Sequence, residues 1–328
     1  MSRDTAATER NPEKSIEEEQ GHLDGLYRKL DQLRTQAVER RAKALREPKG
    51  TYQARYERDA TVTRHTEQIA QYDAVEENLC FGRLDFHEEE HRHIGRIGIF
   101  DETADYRPLL LDWRAPAARP FYVSTAASPD GVRRRRHIHT RGREVTHVDD
   151  EALDLNTVDP DRPDAFGLIG EASLLAALNA NRTGRMTDIV QTIQAEQDEV
   201  IRSPLQGVLV VQGGPGTGKT AVALHRAAYL LYTYREQLSK RGVLVVGPNA
   251  TFLRYVSQVL PSLAETGVLL QTVGELYPSV SAELSESPAA AEVKGRAEMA
   301  KVLAAAVRDR QRAPDHVLEI RAEVGLSV

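Results

Sequence analysis

The chain has 328 residues, of which 41% are apolar, and 49 acidic against 43 basic side chains give it a net charge of −6. This length suggests two or three domains, and the charge balance argues against a globally cationic nucleic-acid binder. No apolar run approaches the ~20 residues that cross a bilayer, and the N-terminus lacks the apolar core of a signal peptide. The single cysteine, Cys80, excludes a disulfide framework and a thiolate zinc site. We therefore expect a cytoplasmic protein without a membrane partner, in which Cys80 is a small buried apolar group.

Two long amphipathic helices are predicted before residue 80. Apolar residues spaced seven apart form a coiled-coil stripe of about four heptads: Ile16, Leu23, Leu30, Ala37 and Ala44. Glu19 and Arg40 are defects in this stripe, and Pro48 and Gly50 end the helix. A second helix is predicted over residues 52–79, so the pair should form an antiparallel helical hairpin. The pattern leaves open whether this hairpin packs on the body or projects from it.

From Phe81 the apolar period changes from helical to alternating, and residues 81–150 are predicted to be mostly β. The predicted strands include residues 94–100, 109–111 and 121–123, separated by turns rich in Asp, Pro and Gly.

Three features of this β-rich region invite a functional interpretation. His87 and His91 match H-E-x-x-H, but a zinc protease needs both on one helix face, and here a solvated hairpin turn is favoured, with no zinc site. Four arginines at 133–136 are interpreted as a solvated hairpin, with a phosphate or acidic partner as the alternative. The segment 112–114, which holds the only tryptophan, is interpreted as a buried ring beside an ion pair.

The most specific motif is GGPGTGKT at residues 213–220, which matches the phosphate-loop pattern G-x-x-x-x-G-K-[ST]. Its glycines let successive main-chain N–H groups converge on phosphate oxygens, Lys219 can reach the β and γ phosphates, and the Thr220 hydroxyl can ligate Mg²⁺. The apolar run 207–211 is predicted as a buried parallel strand before the loop, and 221–232 as a helix whose positive dipole end faces it. The predicted ATP-binding residues of the loop are Gly213, Gly214, Pro215, Gly216, Thr217, Gly218, Lys219, Thr220 and Ala221.

Gln197 precedes this loop on a helix predicted over residues 186–202 and is a candidate for contacting the base. An amide donates and accepts at once, which suits N6 and N7 of adenine but not guanine, and the alternative is an exposed helix amide. Downstream, 242–246 and 268–270 are predicted strands with a helix at 252–260 between them. This βαβα pattern predicts a parallel sheet that binds ligand at the carboxyl ends of its strands.

These motifs resemble superfamily 1 nucleic-acid motors of the UvrD/Rep type, because IQAEQ, GGPGTGKT, ALHRAAYLLY and VVGPN follow in that order. The hairpin, together with GRLDF, HIGRIGIFD, PLLLDWRAPAARPFY, RRRRHIHTRGREVTHVDDEALD and FLRYVSQVLPSL, is similar to the actinobacterial HelD family. Members of that family are helicase-like ATPases that bind RNA polymerase and clear it from nucleic acid, and some are linked to rifamycin tolerance. The resemblance extends from about residue 15 to the end of the chain.

The resemblance implies an α/β fold with an incomplete RecA-like P-loop NTPase sheet, preceded by a small β-rich region and the helical hairpin. It implies four regions, which are the arm (1–80), the β-rich part of the first motor domain (81–165), the P-loop core (166–280) and the start of a family-specific insertion (281–328). Gln197 would read adenine, and Lys219 and Thr220 would be the catalytic pair, with ATP and Mg²⁺ as cofactors. The implied partner is RNA polymerase, with the arm in its secondary channel, and DNA is a further candidate partner for a monomeric protein.

Several departures from the family pattern limit the expected activity. The hairpin tip at 46–50 has one acid, so metal-assisted transcript cleavage is not implied, and Ala221 stands where many UvrD-type motors have arginine. Pro248 and Asn249 match the motif that faces nucleic acid in true helicases. No apolar strand ending in Asp-Glu follows Thr220, and no second motor domain supplies arginines. We therefore expect an N-terminal fragment that binds ATP weakly and turns it over slowly or not at all. The alternatives are a UvrD/Rep-type 3′–5′ DNA repair helicase and a truncated, non-catalytic ATP-binding product.

Overall fold

The computed structural model describes residues 12–47, 50–87, 90–154, 189–238, 241–260, 263, 268–277 and 286–311. Two compact units are present, divided between Leu276 and Tyr277, and each is described by itself.

The first unit begins with the predicted hairpin, formed by α1 (Pro12–Arg46) and α2 (Tyr52–Ala74). Thr51 caps α2 by accepting a hydrogen bond from the N–H of Ala54 at 3.3 Å. The second helix ends earlier than predicted, because Asn78 takes the left-handed conformation (φ 57°) and residues 75–79 turn into the first strand.

A six-stranded sheet follows the hairpin, as the alternating pattern predicts. Its strands are β1 (Cys80–Phe86), β2 (His91–Gly95), β3 (Ile99–Asp101), β4 (Arg107–Asp112), β5 (Val132–Arg141) and β6 (Glu144–Ala152). They lie in the order β3-β4-β2-β1-β5-β6, and all neighbours are antiparallel except β2 and β4.

The strand predicted at 121–123 is wrong, because these residues form part of the short helix α3 (Pro120–Val123), directly after a 3-10 turn at Pro116–Ala118. Each of these two turns begins with a proline. Proline has no N–H to donate to a sheet, and its fixed φ suits the first position of a helical turn.

The sheet is a middle layer between two hydrophobic clusters. The neighbouring residues Leu110 and Leu111 of β4 point to opposite faces and belong to different clusters. The first cluster joins the sheet to α1 through its buried residues Leu23, Leu26, Tyr27, Leu30, Val75, Leu79, Cys80, Ile97, Ile99, Leu110, Ile138 and Val145. Cys80 is buried in it as expected, and burial raises the pKa of its thiol.

Past Arg34 the hairpin leaves the sheet. In this part only Ala37, Ala44 and His65 are buried among the described residues, whereas Tyr52 is 86% exposed. The hairpin base is therefore docked on the sheet, and its outer part, which we call the distal arm (residues 35–46 of α1 and 52–70 of α2), projects from it.

The rest of the first unit packs on the opposite face of the sheet. It contains α4 (Ala195–Arg202), α5 (Lys219–Thr233), α6 (Arg235–Leu238), β7 (Val243–Gly247), α7 (Ala250–Ser257) and β8 (Val268–Thr272). β7 and β8 pair in parallel, as predicted. The helix predicted over 186–202 begins only at Ala195, because Gln194 is its N-cap, and residues 155–188 lie outside the described residues.

The strand predicted at 207–211 is not formed. These residues have no regular secondary structure, and Val208 and Val210 are 94% and 81% exposed. A strand requires a hydrogen-bonded neighbour, and within the described parts of the chain β7 pairs only with β8. The predicted parallel sheet is thus present here only as the pair β7–β8.

The second unit contains α8 (Pro288–Lys294) and α9 (Glu298–Arg310). The helix α8 begins at Pro288, because the Ser287 hydroxyl caps it by accepting from the N–H of Ala290. Among the helices described in both units, none is long and apolar enough to cross a membrane.

Candidate functional site

The phosphate loop, residues 213–220, turns directly into α5. Gly218 is the N-cap of this helix at φ 80°, and Gly216 is at φ 79°, a region in which only glycine is unstrained. The N–H of Val222 donates to the carbonyl of Gly218 at 2.9 Å, which closes the first helical turn. The unbonded N–H groups at the helix start, and the positive end of its dipole, therefore face the loop.

Lys219 folds over the phosphate loop. Its ammonium group donates to the carbonyls of Gly213 at 2.9 Å and Gly214 at 2.6 Å, and the Thr217 hydroxyl donates to Gly214 at 3.0 Å. The loop is a closed turn with one cation at its centre, while Thr220 lies half-buried in the first turn of α5. A positive charge beside free helix N–H groups fits a polyphosphate, and a threonine hydroxyl beside it fits a Mg²⁺ ligand.

Gln197 lies beside this loop, as the sequence predicts. Its Nε2 atom is 3.2 Å from the point that a Cβ atom on Gly218 would occupy. Its Oε1 atom accepts from the N–H of Gln194 at 3.1 Å, as part of a capping box that begins α4. A carbonyl oxygen has two lone pairs, so this cap leaves one acceptor site and the NH₂ group for a base edge. Gln197 as a whole is half-buried, and its role in contacting the base stays a prediction.

The interpretation of residues 112–114 is confirmed. Trp113 and Arg114 are fully buried, and the Arg114 guanidinium donates to both carboxylate oxygens of Asp112 at 2.8 and 2.7 Å. The Trp113 ring meets the ring of His225 on α5 edge to face, with centroids 5.7 Å apart. This ion pair therefore lies where the sheet packs against the helix that follows the phosphate loop.

The interpretation of the arginines at 133–136 as solvated is wrong. Arg136 is 1% exposed and donates to Asp150 at 2.6 Å, and Arg135 donates to Glu151 at 2.6 Å. The register of β5 and β6 places Arg135 opposite Glu151 and Arg136 opposite Asp150. Directly opposite residues of an antiparallel pair interact, so the acidic run that follows RRRR at hairpin spacing was the signal for this pairing.

Glu19 interrupts the heptad stripe, and the heptad pattern did not indicate its role. Its carboxylate accepts from Arg136 at 2.8 Å and Arg83 at 2.9 Å and lies 2.9 Å from Nε2 of His93. Burial raises the pKa of Glu19, but hydrogen bonds and charges from His93, Arg136 and Arg83 outweigh it and hold this pKa far below its usual value. The hairpin base is therefore fixed to the sheet by charge as well as by apolar packing.

The two histidines of the H-E-x-x-H match lie at the facing ends of two antiparallel strands. His87 follows β1 and His91 begins β2, and the N–H of Phe86 donates to the carbonyl of Glu90 at 2.8 Å. Residues 88–89 lie outside the described residues, and among those described no three His, Cys, Asp or Glu side chains are grouped to hold a metal ion.

Two family models match the chain. Residues 16–164 match the N-terminal domain of DNA helicase IV HelD, and residues 193–248 match the UvrD/REP helicase N-terminal domain. The matched regions are those of a HelD/UvrD-like helicase N-terminal fragment. The HelD match covers the hairpin and the six-stranded sheet, and the UvrD/REP match covers Gln197, the phosphate loop, α5 and β7. UvrD-like helicases generally use ATP and Mg²⁺. Among curated proteins, none matches the chain significantly.

Two further positions singled out in the sequence lie near the carboxyl end of β7. Pro248 and Asn249 are exposed there, and the Asn249 side chain caps α7 by accepting from the N–H of Phe252 at 2.8 Å. Ala221 is buried on α5 and is 6% exposed. An asparagine at position 249 is thus explained by its role as the helix cap, whether or not it also contacts nucleic acid.

Proposed function

We propose that the chain is the ATP-binding part of a helicase-like ATPase that binds RNA polymerase and releases it from stalled nucleic-acid complexes. The observation that carries the proposal is the phosphate loop, in which the Lys219 ammonium is centred over a turn that opens onto the start of α5. The N–H groups of residues 213–220 and Lys219 would bind the phosphates, and Gln197 would bind adenine. Thr220 would hold Mg²⁺, which supplies positive charge to the phosphate oxygens.

The distal arm supports a polymerase partner. At about 1.5 Å per residue, residues 35–46 carry the hairpin about 18 Å beyond its docked base. Leu45, Tyr52 and Tyr56 are 60%, 86% and 71% exposed near its end. A helical pair that is anchored at one end and free along the rest suits insertion into a channel of a larger partner, whereas a DNA repair helicase does not need it.

Isothermal titration of ATP into the wild type and the Lys219→Ala variant tests the nucleotide site. Loss of the ammonium group removes the only side-chain cation that the described structure centres on the loop, so ATP binding should be abolished. Lys43→Ala, which removes an exposed lysine from the distal arm, is the matched control and should bind like the wild type. Equal ATP binding by all three proteins would rule out the proposed site.

Retention of RNA polymerase by the immobilised chain tests the partner. Deleting the whole hairpin would strip Leu23, Leu26 and Leu30 from the sheet, so the better variant replaces only residues 39–67 with a short Gly/Ser linker. This shortened protein should bind ATP normally and lose polymerase retention. If it retains polymerase as well as the wild type does, the role assigned to the distal arm is wrong.

A UvrD/Rep-type 3′–5′ DNA helicase is the second candidate function. The UvrD/REP match and the exposure of Pro248 and Asn249 at the carboxyl end of β7 favour it. Fluorescence anisotropy with single-stranded DNA distinguishes the two candidates. ATP-dependent DNA binding that survives removal of the distal arm would favour the repair helicase. The remaining alternative, a non-catalytic ATP-binding product, is tested by phosphate release, and vigorous turnover by this chain would exclude it.

A further inference from the structure

α4 is short, but two of its neighbouring residues face different parts of the molecule. Gln197 lies beside the phosphate loop, whereas Asp198 is fully buried. One turn later, Arg202 donates from Nε to the Oδ1 atom of Asp198 at 2.7 Å. This (i, i+4) pair forms the buried side of the helix whose first turn carries the base-contacting amide.

The partners of this pair lie on the Trp113 corner, the turn formed by residues 112–119 after β4. Arg202 donates from Nη2 to the carbonyl of Trp113 at 2.8 Å and from Nη1 to the carbonyl of Arg114 at 2.9 Å. The corner also reaches back to α4 through Arg119, whose Nε atom lies 3.5 Å from the Oδ2 atom of Asp198. The corner therefore holds α4 through both members of the pair.

The Trp113 corner is itself fixed against other parts of the first unit. Besides its bidentate pair with Asp112, Arg114 donates to the carbonyl of Leu263 at 3.3 Å and lies over the ring of Tyr232 on α5, 4.7 Å from its centroid. Because the buried Arg114 is held by Asp112, Leu263 and Tyr232 at once, the corner is a well-fixed support for α4.

The other end of α4 is held by the phosphate-loop helix. Arg226 of α5 donates from Nη1 to the carbonyl of Ser203 at 2.7 Å and from Nη2 to that of Pro204 at 2.8 Å. Two arginines thus fix α4. Arg226 holds it from α5, and Arg202 bonds it to the Trp113 corner of the N-terminal sheet. Hydrogen bonds to a base edge tolerate only small errors in distance and angle, so the position of Gln197 depends on both supports.

We infer that Arg202 and Asp198 are positioning residues for the adenine contact of Gln197, and that the Trp113 corner of the HelD-type region takes part in nucleotide selection through them. The inference rests on the proposed function, because it requires Gln197 to bind the base. It assigns these residues no role in binding the phosphates, which the proposed function gives to residues 213–220.

Arg202→Lys is the primary variant, because lysine keeps the charge but cannot bond two carbonyls and a carboxylate with one planar fork. Binding of ATP, GTP and inorganic tripolyphosphate is measured by titration calorimetry for each protein. The ratio of ATP to GTP affinity should fall about five-fold in Arg202→Lys, part of the roughly ten-fold or larger loss expected for Gln197→Ala, while tripolyphosphate affinity should change less than about two-fold.

Arg119→Ala is the second variant and guards against misfolding, because the Arg119 side chain is 55% exposed and pairs with Asp198 of α4. It should lower the same ratio by about two-fold. Emission from Trp113, the only tryptophan, reports whether the corner is intact in each variant. Arg119→Ala decides the outcome if Arg202→Lys proves unfolded.

The results separate this inference from the proposed function. An unchanged ATP-to-GTP ratio in both variants overturns it, as does an equal loss of all three ligands in Arg202→Lys, which would indicate a purely structural residue. If the wild type binds tripolyphosphate but does not prefer ATP to GTP, the positioning role falls and the phosphate site stands. If it binds none of the three, the proposed function falls and this inference with it.

Discussion

Glu19 illustrates how much one side chain can contribute when it faces several buried cations. It is 2% exposed and is bonded to Arg136 and Arg83, which lie on different strands. Glu19→Gln keeps the shape of this residue but removes the negative charge that both guanidinium groups face. We expect it to lower the free energy of unfolding by about 3 kcal/mol, the scale for breaking a buried ion pair.

Urea denaturation of the wild type and Glu19→Gln measures this effect. Glu18→Gln is the control, because Glu18 also accepts from Arg83 at 3.0 Å but its side chain is 63% exposed. It should cost less than about 1 kcal/mol. If the two variants were equally stable, the Glu19 network would contribute no more than a surface ion pair does.

His22 gives the hairpin base a dependence on pH. Burial, followed by the charge of His93, lowers the pKa of His22 to about 4, and the two rings are stacked with centroids 3.6 Å apart. The unfolded chain, with a histidine pKa of about 6.5, binds this proton more readily than the folded chain does. His22 therefore contributes stability that is complete above about pH 6.5 and is lost as the pH falls toward 4.

The His22→Gln variant should have a shallower decrease of melting temperature between pH 6.5 and 5 than the wild type. The slope is measured by thermal unfolding at several pH values, so a constant loss of packing in the variant does not affect the result. Groups that do not contact His22, such as His137, whose pKa burial and Arg135 lower to about 4, titrate in both proteins and cancel in the comparison. Identical slopes would show that His22 is equally basic in the folded and unfolded chain.

At the scale of elements, α1 is one helix with two environments. Leu30 is fully buried in the cluster under the sheet, whereas Leu45, on the distal arm, is 60% exposed. Leu30→Ala should therefore lower the free energy of unfolding by about 2–5 kcal/mol, and Leu45→Ala by less than about 0.5 kcal/mol. Equilibrium unfolding of both variants checks this, and similar losses would mean that the distal arm is packed on the body after all.

Local periodicity was enough to predict the elements whose stability is local. The hairpin, the β-rich region, the phosphate loop before α5 and the nearness of Gln197 to that loop all follow from spacing within short windows. The heptad rule did not reveal that α1 packs on the sheet in its first part but not along the distal arm. Ala44 and Leu23 occupy equivalent positions in the repeat, yet Leu23 packs in the sheet cluster and Ala44 does not belong to it.

The elements that sequence could not predict depend on a partner from elsewhere. The run 207–211 has the composition of a buried strand, but its secondary structure depends on a neighbouring strand rather than on its own residues. Residues 121–123 are apolar enough for a strand, and prolines 116 and 120 determine their helical turn. The arginines at 133–136 become buried only because acids on β6 lie opposite them.

For the whole first unit, the two family regions meet on one face of the sheet, while the hairpin base covers the other face. The cluster on one face contains Phe81 and Trp113 from the HelD-type region and Ile201 and Val222 from the UvrD-type region. A cluster shared in this way has no boundary along which one region could unfold without exposing apolar surface of the other. We therefore expect the two regions to unfold in one cooperative transition.

Two native probes can test this expectation without added labels, since the chain has one tryptophan and one cysteine. Trp113 reports the cluster toward α5, and Cys80 reports the cluster toward α1. Emission from Trp113 and pulsed thiol labelling of Cys80, followed across a urea series, should give the same midpoint. Leu30→Ala lies only in the Cys80 cluster, yet it should shift both midpoints equally. If it shifts the labelling curve alone, the two faces of the sheet are energetically independent, and the hairpin base could then detach while the Trp113 corner still holds α4.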